Sequence, residues 1–146
     1  MTYQHVLAAI DLTDESQQVL DTARSVANDN NSKLSLISVV KPLAQVYGGL
    51  DMALIAQGDV SFEHEAEVAA RAQLDDLARA IDVEVADVHV KIGGPALEIR
   101  QGAEDLEADL IVIGTHGRHG LGLLLGSTAN GVLHGVKCDV LTVRIK

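Results

Sequence analysis

The 146 residues match the usual length of one domain, and a chain of this size buries roughly two-thirds of its unfolded surface. Aromatic residues make up only 2% against 47% hydrophobic residues, so Val, Leu, Ile and Ala must build the interior, a mixture suited to sheets held between helices. A formal charge of −10 opposes long nucleic acids and anionic membrane surfaces as partners.

The start, MTYQHVLAAIDLTDES, carries neither a basic leader nor an apolar run long enough for secretion or spanning, and the lone Cys138 cannot close an internal disulfide. The expectation is one cytoplasmic domain over residues 1–146. His5 to Ile10 reads as a short strand feeding a helix. Thr13 is expected to cap that helix, with Asp14 and Glu15 suiting its positive end, while Val19, Leu20, Ala23, Val26 and Ala27 share one face. Asn28 to Ser32 stop it. Lys33 to Val40 is a second strand rich in aliphatic and β-branched residues, and the stretch punctuated by Pro42, Gly48, Gly49 and Gly58 has little pattern.

Ser61, with Glu63 and Glu65, opens a second helix whose Ala66, Ala70, Leu74, Leu77 and Ile81 keep helical spacing. Val83 to Ile92 alternates with Glu84, Asp87 and His89, which predicts a strand with one partly exposed face near a sheet edge. After Gly93 and Gly94, Pro95 suits the first position of a third helix, along which Ala96, Ile99, Ala103 and Leu106 form a stripe. Leu110 to Ile113 is a continuous apolar run, as in a central parallel strand covered on both faces, and Gly114 closes it. A last helix starts at Ser127, with Gly131 and Gly135 permitting close packing, and Asp139 to Ile145 supplies a fifth strand.

This alternation predicts an α/β fold, an open five-stranded parallel sheet with helices on both faces; periodicity alone does not fix the strand order, and 3-2-1-4-5 is the order chosen here. Ligands of such sheets bind beyond the carboxyl ends of the strands, where strand order reverses, and Asp11 and Gly114 both lie on that rim. Between Gly114 and Ser127, glycines recur at positions 117, 120, 122 and 126. Glycines let backbone amides approach phosphate oxygens closely, Ser127 and Thr128 add hydroxyl donors, and the helix start adds favourable potential. A close-packing turn is the alternative. From Gly114 onward Arg118, Lys137, Arg144 and Lys146 face only Asp139, so this segment is locally positive. A lysine-bearing phosphate loop does not fit, because Gly126 is followed by serine, and the dinucleotide fingerprint fails on spacing and on position after the fourth strand. His116, His119, His134 and Cys138 lack the further paired ligands of a zinc site and read as polar loop or helix-end residues and a small hydrophobe.

The segments Val6 to Asp11 and IGTHGRHGLGLLLGST resemble the signature of the universal stress protein family, and the likeness extends over essentially the whole chain. The resemblance implies an adenine nucleotide (ATP, ADP or AMP, with or without magnesium) held by a loop of the form G-x2-G-x9-G-[S/T]. Gly114, Gly117, Gly126, Ser127 and Thr128 match that loop, bordered by Ile113 and Arg118. Asp11 and Val39 match the positions that meet the adenine, and Ala9 stands where proline is frequent. Gly117 and Gly126 are separated by eight residues rather than nine, a spacing nearer to a branch thought not to bind ATP. The family likeness also implies a homodimer through the last strand, over Val140, Leu141, Thr142, Val143 and Arg144, since pairing removes an exposed apolar edge. Three classes follow: a nucleotide-binding regulatory protein of the stress response, a slow ATP hydrolase with Asp11 as its base, and a ligand-free dimeric interaction module.

Overall fold

The structure is a computed structural model that describes residues 2–42, 59–115 and 126–145. In chain order its elements are β1 (His5–Ala9), α1 (Ser16–Asn30), β2 (Lys33–Val40), α2 (Asp59–Ala80), β3 (Val85–Ile92), α3 (Pro95–Asp105), β4 (Leu110–Gly114), α4 (Ser127–Leu133) and β5 (Asp139–Val143). All four strand pairings are parallel, as the alternation of strands and helices requires, and the sheet order β3-β2-β1-β4-β5 is the 3-2-1-4-5 order chosen from the sequence.

Two cores follow from the twofold alternation of side chains along a strand. Val6, Ala8, Leu34, Leu36, Leu110 and Val112 point to the face covered by α1 and α2. Leu7, Ala9, Ile37, Ile111 and Ile113 point to the opposite face, under α3 and α4. The helices change faces when the chain passes from β3 through α3 to β4, which lies on the other side of β1. Aliphatic side chains fill both layers, as the near absence of aromatic residues requires.

Several boundaries differ from the sequence expectation. Thr13 does not cap α1: the helix begins at Ser16, and the Thr13 carbonyl accepts from the Ser16 amide at 3.0 Å and the Ser16 hydroxyl at 2.7 Å. Its own hydroxyl donates instead to Asp11. Helix α1 stops at Asn31, which adopts the left-handed conformation at φ 54°, a role its short polar side chain tolerates. Helix α2 starts two residues before Ser61, β3 begins at Val85 rather than Val83, and β5 ends at Val143 rather than Ile145. Ala86 is the extra residue of an irregularity in β3, whose register against β2 jumps from Leu34↔Val85 to Ser35↔Asp87. Such a kink is at home on a sheet edge.

Glycines mark where helices approach closely. A Cβ on Gly102 would lie 2.8 Å from the Ile37 Cδ1, so α3 sits tight on the sheet, and one on Gly131 would lie 2.7 Å from the Ala96 Cβ, so α4 sits tight on α3. Gly135 lies beyond the end of α4, against the Arg100 guanidinium, which donates to the Gly131 carbonyl at 2.7 Å. At the amino rim, His5 is buried. Its Nδ1 donates to the Leu106 carbonyl at 3.0 Å, and its Nε2 lies 2.7 Å from the Ser35 hydroxyl. Asp109 ties β4 to the entry of β1, accepting from the Gln4 amide at 2.8 Å and the His5 amide at 3.0 Å. Burial alone would raise this carboxyl, but the amides of His5, Gln4 and Asp109 itself, together with the nearby His5 ring, hold it below the usual carboxylate range.

Two outcomes follow. Gly131→Ala should lower stability by about 1–3 kcal/mol in urea unfolding, although helix propensity alone favours alanine by about 1 kcal/mol. Because the Asp109 pKa is lower folded than unfolded, its contribution is present above the unfolded value and lost as pH falls through the folded one. Asp109→Asn should therefore cost about 1 kcal/mol at neutral pH. The gap from the parent should close below about pH 4. A gap independent of pH, measured by denaturant titration, would refute that role.

Candidate functional site

The chain reverses its direction of winding between β1 and β4, and a cleft of about 750 Å³ opens beyond the carboxyl ends of these strands. That volume lies within the range of small-molecule sites. Its apolar surface comes from strand ends and the helices beneath: Ala9 at the end of β1 and Ile10 just after it, Ile37 and Val39 on β2, Ile113 on β4, and Ile99 on α3. Its polar side is supplied by Asp11, Thr13 and Glu15 before α1, and by Ser127 and Thr128 at the start of α4.

The Asp11 side reflects a strained turn. Leu12 has φ 60°, a left-handed conformation that costs a residue with a Cβ roughly 1–2 kcal/mol. Two groups hold it there. The Leu12 side chain packs against the α1/α2 core, and Asp11 Oδ1 accepts from the Thr13 hydroxyl at 2.8 Å and the Thr13 amide at 3.2 Å. The turn keeps the exposed Asp11 carboxylate on the rim of the cleft.

The Gly114 side is shaped by packing. A Cβ there would lie 3.2 Å from the Ile145 Cδ1 and 3.3 Å from the Val19 Cγ2, so the strand end has no room for a side chain without displacing a neighbour. Gly126 is the N-cap of α4, in extended conformation with no side-chain cap, and its amide donates to the Thr115 carbonyl. Asn130 is the first residue of the helix bonded back to Gly126, at 2.9 Å. The amides of Ser127, Thr128 and Ala129 thus precede the first intrahelical bond and face the cleft end of the helix.

Of the residues singled out from sequence, Ala9, Asp11, Val39, Ile113, Gly114, Gly126, Ser127 and Thr128 all line this one cleft, although they come from four separate stretches of chain. Gly117 and Arg118, with His116 and His119, lie outside the described residues. Sequence reasoning missed Lys41, Glu15, Pro95 and Ile145. Lys41 follows directly on Val39 and Val40 at the strand end and could have been found by extending β2 to its rim. Ile145 carried no such signal, because it reads as one more residue of the last strand.

The second group of sequence-chosen residues, Val140 to Arg144, falls on and just beyond β5, the outer strand of the sheet. Leu141 and Arg144 are exposed, whereas Val140 packs partly against the α3/α4 core and Val143 against the α1/α2 core. Cys138 is half-buried, and burial, followed by the charges of Asp139 and Asp109, raises its thiol.

Comparison with known proteins agrees with this architecture. The profile of the universal stress protein family matches residues 2–144. Universal stress protein A homolog 1 of Coxiella burnetii is 42% identical over 146 residues, covering 100% of this chain and 99% of the relative. Among solved structures, the hypothetical protein MJ0577 superposes with a TM-score of 0.82 at 21% identity, covering 100% of this chain and 99% of that one, which bears on the fold. A universal stress protein solved in complex with cAMP superposes with a TM-score of 0.63 at 25% identity, covering 99% of this chain and 98% of that one.

Proposed function

The chain belongs to the universal stress protein family, and from that premise we propose that it binds an adenine nucleotide in the cleft beyond β1 and β4 as a regulatory protein of the stress response. The observation that carries this reading is the convergence of Ala9, Asp11, Val39, Ile113, Gly114, Gly126, Ser127 and Thr128 on one cleft of nucleotide size.

The chemistry divides along the cleft. Ala9, Val39 and Ile113 offer an apolar slot for a planar base, where burial contributes roughly 25 cal/mol per Å² of apolar surface removed from water. The Asp11 carboxylate, held by Thr13, accepts hydrogen bonds and so favours amine or hydroxyl groups of the guest. Ser127 and Thr128 donate hydroxyls toward phosphate oxygens, and Gly117 and Arg118, outside the described residues, are assigned to the same phosphate on the family motif alone. Hydrogen bonds to a charged group contribute roughly 1.5–3 kcal/mol each, enough for a few of them to hold one phosphate. ATP, ADP and AMP all carry these groups, and magnesium accompanies the longer phosphate chains. The cAMP complex of a family member supports an adenine nucleotide as the guest.

On the same reading, residues 1–146 act as one domain in the cytoplasm, and no helix among the described residues is long and apolar enough to cross a membrane. Two copies pair along β5 over Val140 to Arg144, because this is an outer strand of the sheet among the described residues and Leu141 on it is exposed.

Titration calorimetry with AMP, ADP and ATP, each with and without magnesium, tests the assignment. Binding of at least one adenylate is expected, and Asp11→Ala or Gly117→Leu should weaken it about tenfold or more, the equivalent of one lost charge-assisted hydrogen bond. Unchanged affinity in both variants, or no heat with any adenylate, would reject the cleft as a nucleotide site.

A further inference from the structure

Thr115, the residue after β4, is bonded on three sides. Its amide donates to the Val143 carbonyl at 2.9 Å, which extends the β4–β5 ladder by one step beyond Gly114↔Val143. Its hydroxyl accepts from the Ile145 amide at 3.3 Å, fixing the chain after the last strand. Its carbonyl accepts from the Gly126 amide, fixing the residue that opens α4. One side chain and one peptide unit thus connect the end of the glycine-rich segment to the tail of the outer strand.

Ile145 carries this connection into the cleft. It is only 9% exposed, packs in the α1/α2 core and lines the cleft beside Gly114. The close fit of Ile145 and Val19 over Gly114 leaves this wall without slack, so a shift of the tail must alter the cleft. The same tail continues directly from β5, the outer strand of the sheet among the described residues.

We propose that Thr115 is a positioning residue that makes the nucleotide cleft and the β5 edge one cooperative unit, so that a nucleotide in the cleft and a second copy along β5 each strengthen the binding of the other. The inference rests on the nucleotide reading given above. Its physical basis is the shared placement of the tail after β5. A nucleotide packed against Ile145 and Gly126 and a second copy paired along β5 both act on the tail that the Thr115 bonds hold, and each favours the same placement of it. Linkage requires the two effects to be equal in size.

Sedimentation across a concentration series, with and without saturating AMP, reads the coupling directly. The parent chain should dimerise about fivefold or more tightly with AMP, the lower end of ordinary coupling energies. Thr115→Ser, which keeps the hydroxyl, should retain that ratio, and Thr115→Val should bring it close to one. A merely structural role would lower the melting temperature of Thr115→Val and leave the ratio intact, which would overturn the proposal. A parent chain whose dimer is equally tight with and without AMP, or that stays monomeric in both, would overturn it as well. If calorimetry shows no AMP binding, the nucleotide reading fails and this inference falls with it, whereas AMP binding with an unchanged dimer overturns this inference alone.

Discussion

Burial of β1 and β4 on both faces is the constraint from which the remaining features follow. Val6, Leu7 and Ala8, and then Ile111 and Val112, have no solvent exposure at all, so neither face of these strands can carry polar chemistry. A buried charge or unpaired polar group there would cost several kcal/mol. Polar side chains can enter only where the strands end. Beyond the carboxyl ends, α1 lies on one face of the sheet and α4 on the other. The cleft is the space between α1 and α4, and its polar residues come from the turn after β1 and from the start of α4, with Lys41 after β2.

That position explains why the tightest local geometry sits at the rim. The Asp11–Leu12–Thr13 turn has to redirect the chain from the end of β1 to α1 within a few residues, and it does so with a left-handed leucine whose side chain is anchored in the core. Across the cleft, the end of β4 comes so close to α1 and to the chain end that only glycine fits without displacement at 114. The two devices are opposite in kind: a residue strained by its backbone and held by its packing, and a residue without a side chain because its neighbours fill the space. Both keep the distance between the two halves of the cleft fixed.

Much of this was legible in sequence where burial alone decides. β2 spans Lys33–Val40 as expected, and β4 ends at Gly114 as expected, because uninterrupted aliphatic runs have few alternatives when both faces are covered. The misses fall where local hydrogen bonding competes. Thr13 is a good helix cap by type, yet the Asp11 carboxylate two residues earlier captures its hydroxyl and amide, and the helix starts later. Val83 continues the alternation of β3, but the strand begins only at Val85, with a kink at Ala86 that no periodicity reveals. Ile145 reads as strand in sequence and is instead a core residue beyond the strand, bonded to Thr115 rather than to the ladder. The site residues were legible because glycines and an isolated aspartate stand out against aliphatic runs, whereas Glu15, Lys41 and Pro95 look like ordinary surface residues until the fold brings them to one rim.

The charge distribution sets the terms on which an anion can enter. The chain is strongly acidic overall, and the described lining of the cleft contains the carboxylates of Asp11 and Glu15 against the single ammonium of Lys41. Coulomb attraction between fixed side-chain charges therefore cannot be the main source of affinity for a phosphorylated guest on this part of the surface. What remains are neutral donors and apolar contact: the Ser127 and Thr128 hydroxyls, the first amides of α4, and the slot formed by Ala9, Val39 and Ile113. These interactions are short-ranged and directional, and they are screened less by salt than exposed ion pairs are. They depend on atoms staying in place to within a few tenths of an ångström. A site of this kind gains little from added positive charge and much from rigidity, which is the property that the Leu12 turn, the close fit at Gly114 and the bonds of Thr115 provide.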